Sequence, residues 1–182
     1  MDAQSAVRSA SSQRGGFLAK LKGDGAALPA TPPFKSIALA GAGGFLAIAA
    51  LVWLTNVAST PLILGSFGAT CVLVFGFPDA PFSQPRNIVF GHVMSSLIGV
   101  TALMLFGPHW WAAGLAAGVA IAAMMATRTV HPPAGSNPVI VFMSLPGWGF
   151  VIYPTLVGAV LIAALALVFN NATRKANYPK YW

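Results

Sequence analysis

The chain has 182 residues, of which 57% are hydrophobic and 7% charged, and a mean hydropathy of +0.75. A soluble domain carries roughly 25% charged residues, so this chain cannot cover a water-facing surface with charge and reads as an integral protein of a lipid bilayer. The net charge of +7 does not signal nucleic acid, because five of the ten basic residues (Arg8, Arg14, Lys20, Lys22, Lys35) precede the first apolar run and three (Arg174, Lys175, Lys180) follow the last. That placement suits orientation by the positive-inside rule, and Phe17 alone would offer a base a ring to stack on.

Residues 1–35 are rich in Ser, Ala and Gly with scattered basic residues, and no apolar core there precedes a cleavage site. Ser and Arg lend a faint likeness to an organelle transit peptide, which Asp2 and Asp24 weaken. The segment reads as a disordered cytoplasmic tail. Residues 36–170 read as the membrane domain and 171–182 as a short basic C-terminal tail.

Four long apolar runs follow the first tail: Ile37–Leu54, Ile88–Phe106, Trp110–Thr127 and Val151–Phe169, each of 18 or 19 residues without formal charge. At 1.5 Å per residue they reach roughly 27–29 Å, close to the thickness of a hydrocarbon core. Two shorter runs, Pro61–Phe75 and Pro133–Leu145, reach only about 20–22 Å as helices. Each opens with proline and small polar residues and then turns apolar, the pattern of an unwound stretch entering a short helix. The order is long, short, long, twice over. An offset of 70 lays Gly65–Phe75 over Gly135–Leu145. Three crossings per half would invert the second half relative to the first, as in many secondary transporters. The expected fold is therefore an all-α polytopic membrane protein with four long and two short or broken helices in a 3+3 inverted repeat. Six crossings put Arg86, Arg128 and both termini on one side, which the charge distribution favours over two re-entrant segments and four crossings.

Small residues recur at helix-packing spacing, at Gly91, Ser95 and Gly99 and again at Gly114 and Gly118. They read as contacts within the chain, with a homo-oligomer interface as the second reading.

Polar residues are costly in lipid, and here they gather in two places: Gly65–Thr70 with the following loop Phe77–Asn87, and Arg128–Asn137. Two helix starts meeting at mid-membrane would present free N–H groups to a small anion. Glycine would let that anion approach the backbone, and Ser66, Thr70, Ser136 and Asn137 would add donors. None of the three acidic residues lies in an apolar run, which disfavours a cation pathway. The alternative is that the glycines and hydroxyls only pack helices. Arg86 and Arg128 either snorkel at the interface or attract the anion. His131, held extended before two prolines, either fixes a turn or donates to an anion and carries a proton. His92 reads as a cross-helix hydrogen bond, and His109 with Trp110 and Trp111 as an interfacial belt. The candidate substrate-binding set is Gly65, Ser66, Gly68, Thr70, Arg86, Asn87, Arg128, His131, Pro132, Pro133, Gly135, Ser136 and Asn137.

No Ser-His-carboxylate set, paired carboxylates or phosphate-cradling loop is present, so catalysis is not expected. The single cysteine, Cys71, and the histidines at 92, 109 and 131 form no ligand spacing, and neither metal nor cofactor is expected.

The stretch "LGSFGATCVLVFGFPDAPFSQPRN", the Gly91-His92 pair and "VHPPAGSNP" together resemble the HPP family of integral membrane proteins, named for the triplet that stands here as His131, Pro132 and Pro133. The resemblance runs from about Phe34 to Phe169. It implies a helical membrane protein of a family often described with four transmembrane helices. Through its cyanobacterial and plastid members, it also implies transport of nitrite or a similar small anion. Where that family often has small residues after the triplet, this chain has Ser136, Asn137 and Pro138. The alternative functions are a non-transporting membrane scaffold or component that binds a partner through its basic tail, and an anion channel of other selectivity. The expected location is a bacterial inner membrane with both termini cytoplasmic, ahead of an organelle envelope.

Overall fold

Proline punctuates this fold, and each helix boundary in the membrane domain follows from where the prolines and small residues stand. The computed structural model describes residues 17–23 and 25–182, without the side chain of Ala19, and the chain divides into two units, Met1–Pro32 and Pro33–Trp182. The described part of the first unit holds one helical turn, Phe17–Lys20. Much of the expected basic tail, including Asp2, Arg8, Arg14 and Asp24, lies outside the described residues.

In the second unit, extended Pro33 leads into helix α1, Phe34–Ala58, which ends on the left-handed Ser59. The first short run forms α2, Gly65–Cys71, and continues as a wider π turn over Val72–Gly76. A 3-10 turn, Pro81–Ser83, leads to α3, Pro85–Phe106, with proline in its first turn where no N–H is needed. Helix α4 is Trp110–Ala126. The second short run forms a 3-10 stretch, Pro132–Ser136, and then α5, Asn137–Ser144. The last run starts with a 3-10 turn, Trp148–Val151, and a broken turn, Ile152–Leu156, before α6, Val157–Thr173. The break falls at Tyr153, which Pro154 pushes out of helical geometry to φ −122 and ψ 118. Among the described residues no strand forms.

The protein is all-helical, with three helical stretches long and apolar enough to cross a membrane: Phe34–Ala58, Pro85–Phe106 and Trp148–Thr173. The third long run of the sequence, Trp110–Thr127, yields α4, whose 17 residues reach only about 26 Å. Its last turn stops at Thr127, and Arg128 then takes φ +57 to turn the chain toward the His-Pro-Pro triplet. Both short runs are short in the structure as well.

Helix α3 is the axis of the unit. It packs against α4, α5, α6 and the one-turn helices between them, whereas α1 rests on α2, its π turn and α6 and fully buries only Gly43, Ala47 and Leu51. The close-packing residues of α3 face inward: a Cβ at Gly91 would meet Cβ of His131 at 2.8 Å, and one at Gly99 would meet Cα of Pro138 at 2.9 Å. The second broken segment thus lies directly on the α3 backbone. Helix α4 buries Ala112, Ala116, Ala120 and Met124, one residue per turn, while Gly114 and Gly118 face away from the chain with nothing within 4 Å of an added Cβ. Their expected packing within the chain is therefore not observed; the alanine stripe takes that role.

The C-terminal residues fold back on the Phe77–Asn87 loop rather than trailing away. Tyr178, buried, donates its hydroxyl to the Ser83 carbonyl at 2.6 Å, and the Lys180 amide donates to Gln84 Oε1 at 2.7 Å. Buried Gln84 in turn donates to the carbonyls of Pro78 and Ala80. Asp79 forms ion pairs with Arg174 and with Lys180, the latter at 3.1 Å.

Two outcomes follow. Gly99→Ala, which drives a Cβ against backbone, is expected to cost about 1–3 kcal/mol and lower the melting temperature in detergent, whereas Gly114→Ala is expected to leave it unchanged or raised. The slight burial of the Asp79 carboxyl pushes its pKa up, but the Lys180 hydrogen bond and the Arg174 charge outweigh that and hold it below the ordinary value of 3.8. A carboxyl depressed by folding contributes stability above its unfolded pKa and loses it as pH falls through the folded value. Amide-exchange protection factors in residues 174–182, taken relative to the intrinsic rate at each pH, should therefore fall below about pH 4, and Asp79→Asn should lower them at neutral pH.

Candidate functional site

Six buried polar side chains of this unit, Thr70, His92, Ser96, His131, Asn137 and Thr155, join in one line. Thr70 lies on α2, one turn after Ser66, and its hydroxyl sits 2.9 Å from Nε2 of His92 on α3 and 2.9 Å from Nε2 of His131. All three are fully buried. The two imidazoles meet edge to face with ring centroids 5.0 Å apart, and Phe67 closes the other side of His92 at 5.1 Å. Phe67 fits there because Gly158 has no side chain; a Cβ would stand 2.3 Å from its ring.

Beyond His92 the line continues through Asn137, the first residue of α5. Its Nδ2 lies 3.1 Å from His92 Nδ1, 3.3 Å from the His92 carbonyl and 2.9 Å from Ser96 Oγ. Ser96 and Thr155 share a hydrogen bond of 2.9 Å. At the other end, His131 Nδ1 bonds the Phe82 carbonyl at 2.7 Å. Ser95 donates to the Ala134 carbonyl at 2.6 Å and pins the stretch after the triplet to α3. Two buried polar atoms beside this line have no partner: Ser66 Oγ and Asn137 Oδ1. Unpaired buried polar atoms are uncommon, and each costs the desolvation of the group.

Above the Phe82 end a pocket of about 330 Å³ is lined by Phe82, Asn87, Arg128, Val130 and Tyr181, among others. Arg128 is exposed, and its guanidinium makes no hydrogen bond or ion pair with the described residues. The Arg86 guanidinium is engaged, donating to the Arg128 carbonyl at 2.9 Å and the Thr127 carbonyl at 3.3 Å, where it satisfies the open end of α4. Asn87 donates to the Val130 carbonyl at 2.9 Å.

The candidate set thus separates. Thr70, His131 and Asn137 meet in the buried line, with Ser66 beside them. Asn87 and Arg128 line the pocket, and Arg86 braces a helix end. Pro132 and Pro133 start the 3-10 stretch. Gly65, Gly68 and Gly135 have nothing within 4 Å of an added Cβ, so no close approach of this chain requires them. Ser136 bonds the Pro133 carbonyl at 2.8 Å and stands outside the line. His92 does bond across helices as its position suggested, but it occupies the middle of the line. Ser96 and Thr155 were missed. Their spacing to Asn137 is invisible in sequence, although a hydroxyl mid-run in lipid is itself a signal. Among the described residues no three His, Cys, Asp or Glu side chains gather as metal ligands.

Two transmembrane proteins of Dictyostelium discoideum are similar to this chain. One is 37% identical over 133 residues, covering 69% of this chain and 47% of the relative. The other is 36% identical over 148 residues, covering 76% and 48%. The chain spans about half the length of these curated relatives. No solved structure matches it. The family model for the transmembrane region of HPP proteins matches residues 29–179, the whole helical unit with its buried line and its His-Pro-Pro triplet. The chain belongs to the HPP family of integral membrane proteins.

Proposed function

We propose that this protein carries a small inorganic anion, nitrite or one of its size, across the bilayer. The observation that supports this best is the meeting of the two broken membrane segments. Thr70 of the first and His131 of the second share a hydrogen bond of 2.9 Å against the central helix, with unpartnered Ser66 Oγ and Asn137 Oδ1 beside them. Broken helices whose polar starts meet are where secondary transporters hold their substrates. In this reading α1, α3, α4 and the last helix are four crossings. The two short segments complete a 3+3 inverted repeat, and both termini lie on the cytoplasmic side of a bacterial inner membrane. The anion gathers first at the Arg128 pocket, because Arg86 is occupied by carbonyls while Arg128 is free to attract charge. The chain acts as a transporter and not as an enzyme, with no cofactor.

Reconstituted into liposomes, the protein is expected to raise uptake of nitrite or nitrate above that of empty vesicles. No uptake of nitrite, nitrate, formate or chloride would remove the transport reading and leave the partner-binding membrane scaffold. The two arginines should differ. Arg128→Ala should slow uptake roughly tenfold through lost steering with an unchanged melting temperature. Arg86→Ala should instead lower stability by about 1 kcal/mol, read as a lower melting temperature.

A further inference from the structure

The hydrogen bonds of the buried line have a direction that the chemistry of their partners settles. A carbonyl only accepts, so the 2.7 Å contact with Phe82 puts a proton on His131 Nδ1. In a neutral imidazole this leaves Nε2 as an acceptor, and the Thr70 hydroxyl donates to it at 2.9 Å, the shorter of its two acceptor contacts, the other being the Ser66 carbonyl at 3.2 Å. The atom of Asn137 that faces His92 also touches the His92 carbonyl at 3.3 Å, so it is the NH2 group, and it donates to His92 Nδ1. His92 therefore carries its proton on Nε2 and donates to Thr70. Every donor points the same way: Asn137 to His92, His92 to Thr70, Thr70 to His131, His131 to Phe82.

We propose that His92, Thr70 and His131 form a proton relay through the middle of the protein, ending at the Arg128 pocket, and that the protein moves protons as well as an anion. The inference deepens the transport reading and rests on it for the coupled anion alone. Water supplies the proton at one end and takes it up at the other. When the Asn137 amide turns its NH2 group away and the buried ring opens to water, a proton binds His92 Nδ1; the His92 Nε2–H bond breaks as a Thr70 O–H bond forms; and the original Thr70 proton passes to His131 Nε2. His131, briefly a cation, releases its Nδ1 proton when its bond to the Phe82 carbonyl opens and water enters from the pocket that Phe82 lines. Thr70 ends as a hydroxyl, both rings end neutral with exchanged tautomers, and one proton has moved; the rings then turn back before the next, because His131 Nδ1 faces the Phe82 carbonyl without a hydrogen.

The unpartnered Asn137 Oδ1 acquires a role here. Once His92 bears a proton on Nδ1, that nitrogen needs an acceptor, and turning the Asn137 amide presents Oδ1 to it. Buried and unbonded, this oxygen is available for that exchange, in which Nδ2 gives up its bonds to Ser96 Oγ and the His92 carbonyl.

The surroundings leave few other carriers. In Pro33–Trp182 the sole carboxylate side chain is Asp79, held in surface ion pairs with Arg174 and Lys180. Around the two rings, α2 carries Cys71, the start of α3 carries Arg86, the connector carries Arg128, and the C-terminal segment brings Tyr178 and Tyr181. Of the side chains in this unit, histidine alone ordinarily exchanges protons near neutral pH, and the remaining histidine, His109, is exposed and stacked on Trp111.

Two measurements test the relay. The nitrogen-15 NMR spectrum of the histidine-labelled protein in nanodiscs should show opposite neutral tautomers, Nδ1–H for His131 and Nε2–H for His92; like tautomers would overturn the proposal whatever the transport result. In voltage-clamped liposomes with a pH dye inside, an inward nitrate gradient should change the lumenal pH, since nitrate's conjugate acid is too strong to ferry protons through lipid. Thr70→Val, similar in volume but without the hydroxyl, should cut that proton movement roughly 100-fold, and Thr70→Ser should retain it. Nitrate uptake with no proton movement, or a Thr70→Val protein moving protons at the native rate, overturns the relay and leaves transport standing. Thr70-dependent proton movement without nitrate uptake supports the relay and removes the anion. Should Thr70→Val fail to fold, the tautomer measurement on the native chain decides.

Discussion

The three-way contact at Thr70 is the constraint on which the rest of this structure depends. In hydrocarbon no water satisfies a stray donor or acceptor, so two imidazoles can be buried only if each of their nitrogens finds a partner in the protein. One hydroxyl on α2 serves both rings, Phe82 and Asn137 serve their outer nitrogens, and these five residues come from four different segments. Their mutual satisfaction fixes how the first broken segment, the Pro81–Ser83 turn, the central helix and the second broken segment stand against one another.

The small residues make that arrangement possible. The hydrophobic effect does not draw helices together in lipid, so they associate through close contact and buried hydrogen bonds. Gly91 and Gly99 let the His-Pro-Pro segment and Pro138 lie on the α3 backbone, and Ser95 between them bonds the Ala134 carbonyl. The same face of α3 thus provides room and a hydrogen bond. The prolines act in concert, since a segment whose N–H groups are removed or misdirected needs the side-chain partners that α3 offers. Arg86 does the equivalent work for the end of α4, and the C-terminal segment does it for the Phe77–Asn87 loop.

Much of this could be read from the chain. The positions of the short segments, the inward face of Gly91-Ser95-Gly99 and the polar nature of the His131 region all follow from composition and period. The candidate site was legible only in its near halves. Thr70, His131 and Asn137 stand in marked motifs, but His92, Ser96 and Thr155 sit singly in apolar runs, and nothing in their local sequence distinguishes a helix-helix bond from a functional one. Arg86 and Arg128 look equivalent in sequence. They part ways in the structure because one guanidinium reaches two open carbonyls across the chain and the other faces a pocket.

By itself the sequence determined that the protein lives in a bilayer, that it is helical, and that two of its membrane segments are broken, because hydropathy, run length and proline placement are local properties of the chain. Only the tertiary structure decided that one hydroxyl joins two histidines 22 and 61 residues away, that the glycines of α4 face away from the chain, and that the basic C-terminal residues clasp a loop. Those outcomes depend on which faces meet when the helices pack. In a chain so poor in charge, that meeting is settled by the fit of a few small residues and by a short line of hydrogen bonds that runs through four segments.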